Sequence, residues 1–506
     1  MKHFRFLMLL PLLLCAVAFN SCSGDDEPKY QPTDPDTDTP SQPVISTEIK
    51  NATRFAREVV EDVYLWNTDI SSSISRLNPD TCTNPISTWK AIRYHKGNYE
   101  DKWSELLDDF DSFNSSVQGV ETTYGWDVSF YWVDESHTNV CFVVNFVYPD
   151  SPAANAGIQR GDVILTYNGS SITSSNYIDA FYSPSGTWGY GHRSTTVQQT
   201  ADLSARKMYL NPIICNKVFD INGKKVGYLH YASFDLASIP GLIEVSKKFK
   251  AEGVTELILD LRYNGGGYVV TEGALAAMYA PWANVSAEDV FQTEIWNQSY
   301  MEYYQSKPER AESLNTRFST TCKVENTTYD LSDANIGLTK IYAILTSGSA
   351  SASESLLVGL MPYIDVEIIG EQSHGKYCTG YMLSTEMWYR TFQGKSIPQG
   401  LDNWGFYVMV SRYADKNGNN PCMPNGLTPD IKVQDSPNDG YQLGDEDETM
   451  LAVALQEAGK VSTKAFRFRG IELGRPIGRT QHLNFGMHID NRIDHLKQIM
   501  VADTEE

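Results

Sequence analysis

Ile341-Tyr-Ala-Ile-Leu-Thr-Ser-Gly-Ser-Ala-Ser-Ala-Ser-Glu-Ser-Leu-Leu-Val-Gly-Leu-Met361 sets an apolar run, a turn of small residues and a second apolar run in direct succession. The first run, 341–345, is short and bounded by turn residues, as a buried strand is. The second, 355–361, reads as a helix stopped by Pro362. Ser351 therefore stands at a strand-to-helix turn, beside the positive end of a helix dipole. Another strand, 366–369, leads into Gly370-Glu-Gln-Ser-His-Gly-Lys376 and delivers a lysine 25 residues after Ser351. Each piece alone has a plainer reading. Ser351 and Glu354 have the spacing of a capping box, and a single lysine is ordinarily solvated. A serine and a lysine brought together from two strand ends form a nucleophile–base pair.

A third segment supports that chemistry. Leu257-Ile-Leu-Asp-Leu-Arg-Tyr-Asn-Gly-Gly-Gly267 is an apolar strand that ends in a glycine-rich turn. Acyl transfer needs backbone N–H groups aimed at the developing oxyanion, and glycine lets the backbone approach a ligand closely. A phosphate-cradling loop does not fit, because no Gly-Lys-Ser/Thr follows and 265–270 is not GxGxxG.

Lysine as a base has an energetic requirement. A free lysine titrates near 10.4, so bringing it to about 7–8 means roughly 4 kcal/mol against the charged form. Desolvation in an apolar pocket supplies this if no carboxylate pairs with the ammonium. Ile368, Ile369, Tyr377, Tyr381 and Met382 are the expected lining, with Glu354 and Glu371 turned away.

Together the three segments resemble the carboxyl-terminal processing (tail-specific) protease family, peptidase family S41. In that family the middle serine of SASASE attacks, the following lysine deprotonates it, and a DLRxNxGG turn joins the residue after the nucleophile in binding the oxyanion. The resemblance implies Ser351 and Lys376 as catalytic residues and Gly266 and Ala352 as oxyanion donors, Gly265 being the nearest rival to Gly266. It also implies a crotonase-like α/β core and no metal or organic cofactor. One position departs from the pattern. Family members often orient the lysine with a glutamine four residues later, where this chain has Gly380; Gln372, Thr379 and Tyr381 are the candidates to replace it. His374 offers a different base, in a Ser-His pair.

The organisation upstream agrees. Lys2 and Arg5 precede a 14-residue apolar stretch, too short to span a membrane and typical of a signal peptide over 1–21. Phe19-Asn-Ser-Cys22 resembles a bacterial lipoprotein box with Cys22 as the lipidated residue, and Ser23-Gly-Asp-Asp-Glu27 resembles the acidic tether of some Bacteroidetes lipoproteins. Residues 22–46 are expected to be a polar linker. Ala52, Phe55, Ala56, Val59, Val60 and Val63 have helical spacing, which predicts a small helical N-terminal region over 47–117. Over 118–208, Ser151-Pro-Ala-Ala-Asn-Ala-Gly157, Arg160-Gly-Asp-Val-Ile164 and Asn168-Gly169 resemble a PDZ domain. That implies capture of an extended peptide by strand addition, with the carboxylate loop at Tyr124, Gly125 and Trp126. Strands and helices then alternate over 209–460, giving an α/β protease core. An aromatic-rich insertion at 276–335 either caps the site or packs on the core. The tail, 461–506, carries no clear signal.

Lysine and arginine total 41 against 63 acidic residues, a net charge of −22 that excludes nucleic acid and anionic lipid as electrostatic partners. Six cysteines lie beyond Cys22, none in CxxC spacing, so zinc is not expected; disulfides and buried thiols both remain open. The expectation is a multidomain α/β serine endopeptidase acting on exported or unfolded proteins and peptides. It would be held in the cell envelope as an outer-membrane lipoprotein, facing the periplasm or the medium. A catalytically silent peptide-binding scaffold and a serine esterase or amidase are the competing functions.

Overall fold

The computed structural model describes residues 44–97, 99–461, 471–479 and 486–500. The expected signal peptide, the lipidation site Cys22 and most of the linker lie outside these residues. Among the described residues, no helix is long and apolar enough to cross a membrane.

The helix Thr47–Asp62 opens with Ser46 accepting the Ile49 N–H, and its face of Ala52, Phe55, Ala56, Val59 and Val60 is fully buried. The N-terminal region is not only helical. Its strand Glu105–Leu107 pairs antiparallel with Gly405–Asp415, 300 residues on in the chain, and the Leu65 N–H donates to the carbonyl of Met409 in that strand. This region is built into a sheet of the core.

The PDZ-type sheet runs, from one edge to the other, Gln199–Ser204, Ser185–His192, Asp162–Tyr167, Val140–Val147, Trp126–Trp132 and Pro476–Arg479. The last strand comes from the tail and lies antiparallel on Ser129, Phe130 and Tyr131. Ile477 packs against the apolar cluster of Trp126, Phe130, Phe142 and Trp188. The chain thus covers part of its own sheet edge.

The core holds two sheets. In the first, Lys224–Tyr231, Glu256–Asp260, Lys340–Leu345, Asp365–Gly370 and Ile431–Lys432 are parallel neighbours, with Ile213–Ile221 antiparallel at one edge. Three adjacent parallel strands therefore end in the glycine turn, the serine turn and the lysine loop, in that order. The carboxyl ends of parallel strands are where α/β sheets bind ligands. In the second sheet, the tail strand His488–Asp490 inserts parallel between Gly267–Tyr268 and Cys378–Ser384; Gly405–Asp415, Val290–Ile295 and Asn315–Arg317 follow. Tyr279, Trp296, Tyr300 and Tyr304 of the aromatic-rich stretch are buried in the main core, so packing holds them there. All six cysteines beyond Cys22 are free thiols, which decides against disulfides.

A buried ionic cluster joins the PDZ-type domain to the core. Arg160 donates to the Tyr263 hydroxyl at 2.9 Å, to Asp435 at 3.2 Å and to Glu448 at 3.3 Å. Arg262 donates to Glu448 at 2.6 Å, to Asp435 at 3.1 Å and to Asp260 at 2.9 Å. Two guanidiniums share three carboxylates, all but Asp435 fully buried, as buried charges require.

Candidate active site

The serines of the 349–353 turn divide their work. Ser349 Oγ donates to the Leu261 carbonyl at 2.9 Å and accepts the Thr346 N–H; Ser353 Oγ donates to the Asn264 carbonyl at 3.0 Å. With the Ala350 N–H on the same Asn264 carbonyl, they lash the serine turn to the glycine turn. Ser351 is fully buried, and its Oγ has no hydrogen-bond partner among the described residues. Its backbone is held at φ +65°, ψ −115°, a conformation costing a non-glycine residue about 1–3 kcal/mol. The helix Ala352–Leu360 begins at the next residue. Only one arm of the expected capping box forms: Glu354 receives the Ser351 N–H, while the Ser351 hydroxyl stays out of it.

Gly266 lies directly against the serine. At its φ of +106°, a Cβ would fall 2.6 Å from Ser351 Cβ and 2.7 Å from the Met487 carbonyl oxygen, so only glycine fits. Its N–H donates to Asn264 Oδ1 at 2.9 Å. The N–H groups of Gly265 and Ala352 make no hydrogen bond among the described residues.

Glu354 is fully buried and accepts four donors. Oε2 takes the Ser351 N–H at 2.8 Å and the Lys376 N–H at 3.0 Å; Oε1 takes the Ser373 hydroxyl at 2.5 Å and the Gly375 N–H at 2.6 Å. Burial raises its carboxyl above the usual range, and these donors oppose the shift. Glu371 lies elsewhere, accepting the Asp435 N–H.

The Lys376 side chain is fully buried and makes no ion pair among the described residues. Nζ lies 5.3 Å from the centre of the Trp103 ring and 5.1 Å from that of Tyr407, and donates to the Tyr407 hydroxyl at 2.9 Å. Burial lowers the ammonium to about 7, against smaller upward pulls from Cys378, Asp101 and Glu354. The lining differs from the expected one: Trp103 comes from the N-terminal region and Tyr407 from the strand Gly405–Asp415. Tyr413, six residues further along that strand, donates to the Lys376 carbonyl at 2.9 Å. Of the three candidates to orient the lysine, Gln372 bonds the Asn425 carbonyl and Thr379 bonds His488, and none bonds Lys376. His374 is exposed as a residue, yet partial desolvation of its ring, with Lys102 and Lys376 nearby, lowers its imidazole below the usual range. No hydrogen bond links Ser351 Oγ to Lys376 or to His374.

Tyr124 and Trp126 line a cavity of about 650 Å³ together with Phe181, Tyr182 and Lys207. The Gly125 N–H is taken by Thr123 Oγ1 at 3.0 Å.

Residues 225–433 match the family Peptidase family S41, and residues 143–183 match a PDZ domain. The chain is 25% identical over 190 residues to carboxyl-terminal-processing peptidase 2, chloroplastic, of Arabidopsis thaliana, covering 36% of this chain and 37% of that one. It is 24% identical over 313 residues to the carboxyl-terminal-processing protease of a Picosynechococcus species, covering 61% and 64%. The matched parts thus span less than two thirds of either relative. A candidate S41 protease from Bacteroides fragilis, solved by crystallography, superposes with a TM-score of 0.61 at 22% identity, over 80% of this chain and 96% of that one; it shares the fold. The architecture is that of a PDZ-bearing α/β peptidase. Within it, the core over residues 225–433 is similar to peptidase family S41.

Proposed function

We propose that the protein is a serine endopeptidase that cuts exported or unfolded proteins with a Ser351–Lys376 dyad. The observation that carries this reading is the pairing of an unbonded serine hydroxyl at a strained helix start with a buried lysine brought to about 7, their backbones meeting on one carboxylate. Ser351 Oγ attacks the scissile carbonyl carbon as its proton passes to Lys376 Nζ. Lys376 returns that proton to the leaving amine when the C–N bond breaks. Water, deprotonated by Lys376, then hydrolyses the acyl-enzyme and restores the serine. The oxyanion is met by the Ala352 N–H and one from the glycine turn: Gly265 as it stands, or Gly266 once Asn264 releases it.

The PDZ-type domain takes a peptide end beside Tyr124, Gly125 and Trp126, where the cavity lies. Strand addition there displaces Pro476–Arg479 from Ser129, Phe130 and Tyr131. The chain is exported and anchored through Cys22, a reading that rests on the sequence of 1–27.

The test compares residues 23–506 with Ser351→Ala and Lys376→Ala on an unfolded protein substrate, from about pH 6 to about 9. Cleavage by the parent chain alone, rising through about pH 7, is expected. Activity surviving in Ser351→Ala refutes the proposal.

A further inference from the structure

Resting on the dyad reading, the inference concerns what aims the lysine. We infer that Tyr407 is the positioning residue for Lys376, its hydroxyl holding one ammonium N–H so that the amine lone pair is left for Ser351. The hydrogen bonds around that hydroxyl fix the direction. A phenol has one proton to give and two lone pairs to receive. Tyr407 Oη donates to the His488 carbonyl at 3.2 Å, and it accepts the His488 N–H at 3.1 Å and Lys376 Nζ at 2.9 Å. Its single proton is committed to a carbonyl, so toward the lysine it acts as an acceptor. The neutral amine then spends an N–H, and not its lone pair, on the tyrosine.

His488 is itself fastened. Nε2 lies 2.7 Å from Glu272 Oε2 and Nδ1 lies 2.9 Å from Thr379 Oγ1, while the other oxygen of Glu272 accepts Gln292 Nε2 at 2.8 Å. All these groups are buried, and they anchor the residue whose backbone N–H and carbonyl grip the phenol. Burial also holds Tyr407 itself far above the ordinary phenol range, so it stays protonated and does not take the serine proton.

Gly380 makes the arrangement possible. A Cβ there would fall 2.7 Å from Tyr407 Cε2, 2.4 Å from Met409 Cε and 3.0 Å from the Val408 carbonyl oxygen. The tyrosine ring therefore occupies the space that a side chain at 380 would enter. The departure from the family pattern and the presence of Tyr407 are two sides of one packing solution.

The experiment measures kcat, KM and pH profiles of residues 23–506 carrying Tyr407→Phe, which removes only the hydroxyl, beside Gly380→Ala, Ser351→Ala and Lys376→Ala. Thermal unfolding checks each fold. For Tyr407→Phe, kcat is expected to fall about 10- to 100-fold with KM unchanged, as for a misaimed base. Its acid limb should move to lower pH, because the ammonium loses an acceptor that favours the charged form. Gly380→Ala, which pushes the ring aside, should lower kcat in the same way. An unchanged kcat and acid limb in Tyr407→Phe, with both dyad variants dead, overturns the positioning role and spares the dyad. A rise in kcat overturns it too, since the phenol would then have been holding the lone pair. Activity surviving in Lys376→Ala overturns the dyad and this inference together.

Discussion

The backbone N–H groups of Ser351 and Lys376 converge on a single atom, Oε2 of Glu354, at 2.8 and 3.0 Å. The two strand ends that supply the proposed nucleophile and base are therefore referenced to one another by a buried carboxylate, without using either reactive side chain.

Glu354→Gln keeps the shape but replaces one acceptor oxygen with an amide NH₂ that faces donors. Two of the four backbone and hydroxyl donors lose their partner, and the variant should be about 2–3 kcal/mol less stable. Proteolysis should fall more steeply than stability predicts, since the spacing of the two loops is lost as well. Denaturant unfolding beside a cleavage assay checks this; a fully active Glu354→Gln counts against the referencing role.

A base at about 7 makes turnover rise as pH passes through that value, because only the neutral amine accepts a proton. The same shift carries a stability sign. The unfolded lysine holds its proton up to about 10.5, whereas the folded one releases it near 7. Between these values the unfolded chain binds more protons, so stability rises with pH, and below the lower one the fold bears the whole penalty. That penalty is about 5 kcal/mol. Lys376→Met should melt higher than the parent chain at neutral and acidic pH, with the gap closing in alkali. Equal melting temperatures in mild acid contradict the prediction.

His230 is buried between Phe146 and Tyr263, and neither ring nitrogen has a hydrogen-bond partner among the described residues. Burial depresses its imidazole from 6.5 to about 4. In that interval the unfolded chain binds the extra proton, so stability is present in full above the upper value and falls as pH drops, by up to about 3 kcal/mol. His230→Phe should flatten this acid limb, read as melting temperature against pH.

Arg160 is the PDZ-side member of the buried ionic cluster. Arg160→Met leaves Asp435 and Glu448 with one guanidinium in place of two, and removing a partner from such a cluster costs about 3–5 kcal/mol. The loss should show as a lower urea midpoint. An unfolding free energy within about 0.5 kcal/mol of the parent, the range of ordinary surface changes, would falsify the bracing role.

What the sequence discloses is local. The strand–turn–helix around Ser351, the helix Ile239–Ala251 and the buried stripe of Thr47–Asp62 all follow from periodicity within one segment. What it hides depends on pairing between distant segments. Tyr407 sits in a strand apolar on both faces, so nothing marks it out until Gly405–Asp415 is paired with Cys378–Ser384. Trp103 reaches Lys376 only because Glu105–Leu107 joins the same strand. The tail strands are three and four residues long, below the length at which alternation is readable. The one sequence clue to Tyr407 was negative: a glycine at 380.

The strand His488–Asp490 gives a chronology to the molecule. A ribosome makes Ser351 and Lys376 long before it makes residue 488, yet the Tyr407 hydroxyl has its carbonyl acceptor only when that last strand slots in beside Cys378–Ser384. The growing chain thus carries the proposed nucleophile before it carries the strand that braces the proposed base. For the proposed cleavage of unfolded polypeptide, the order of synthesis ties the aiming of the base to the closing of the second sheet, by which point the serine turn and the lysine loop have already been made.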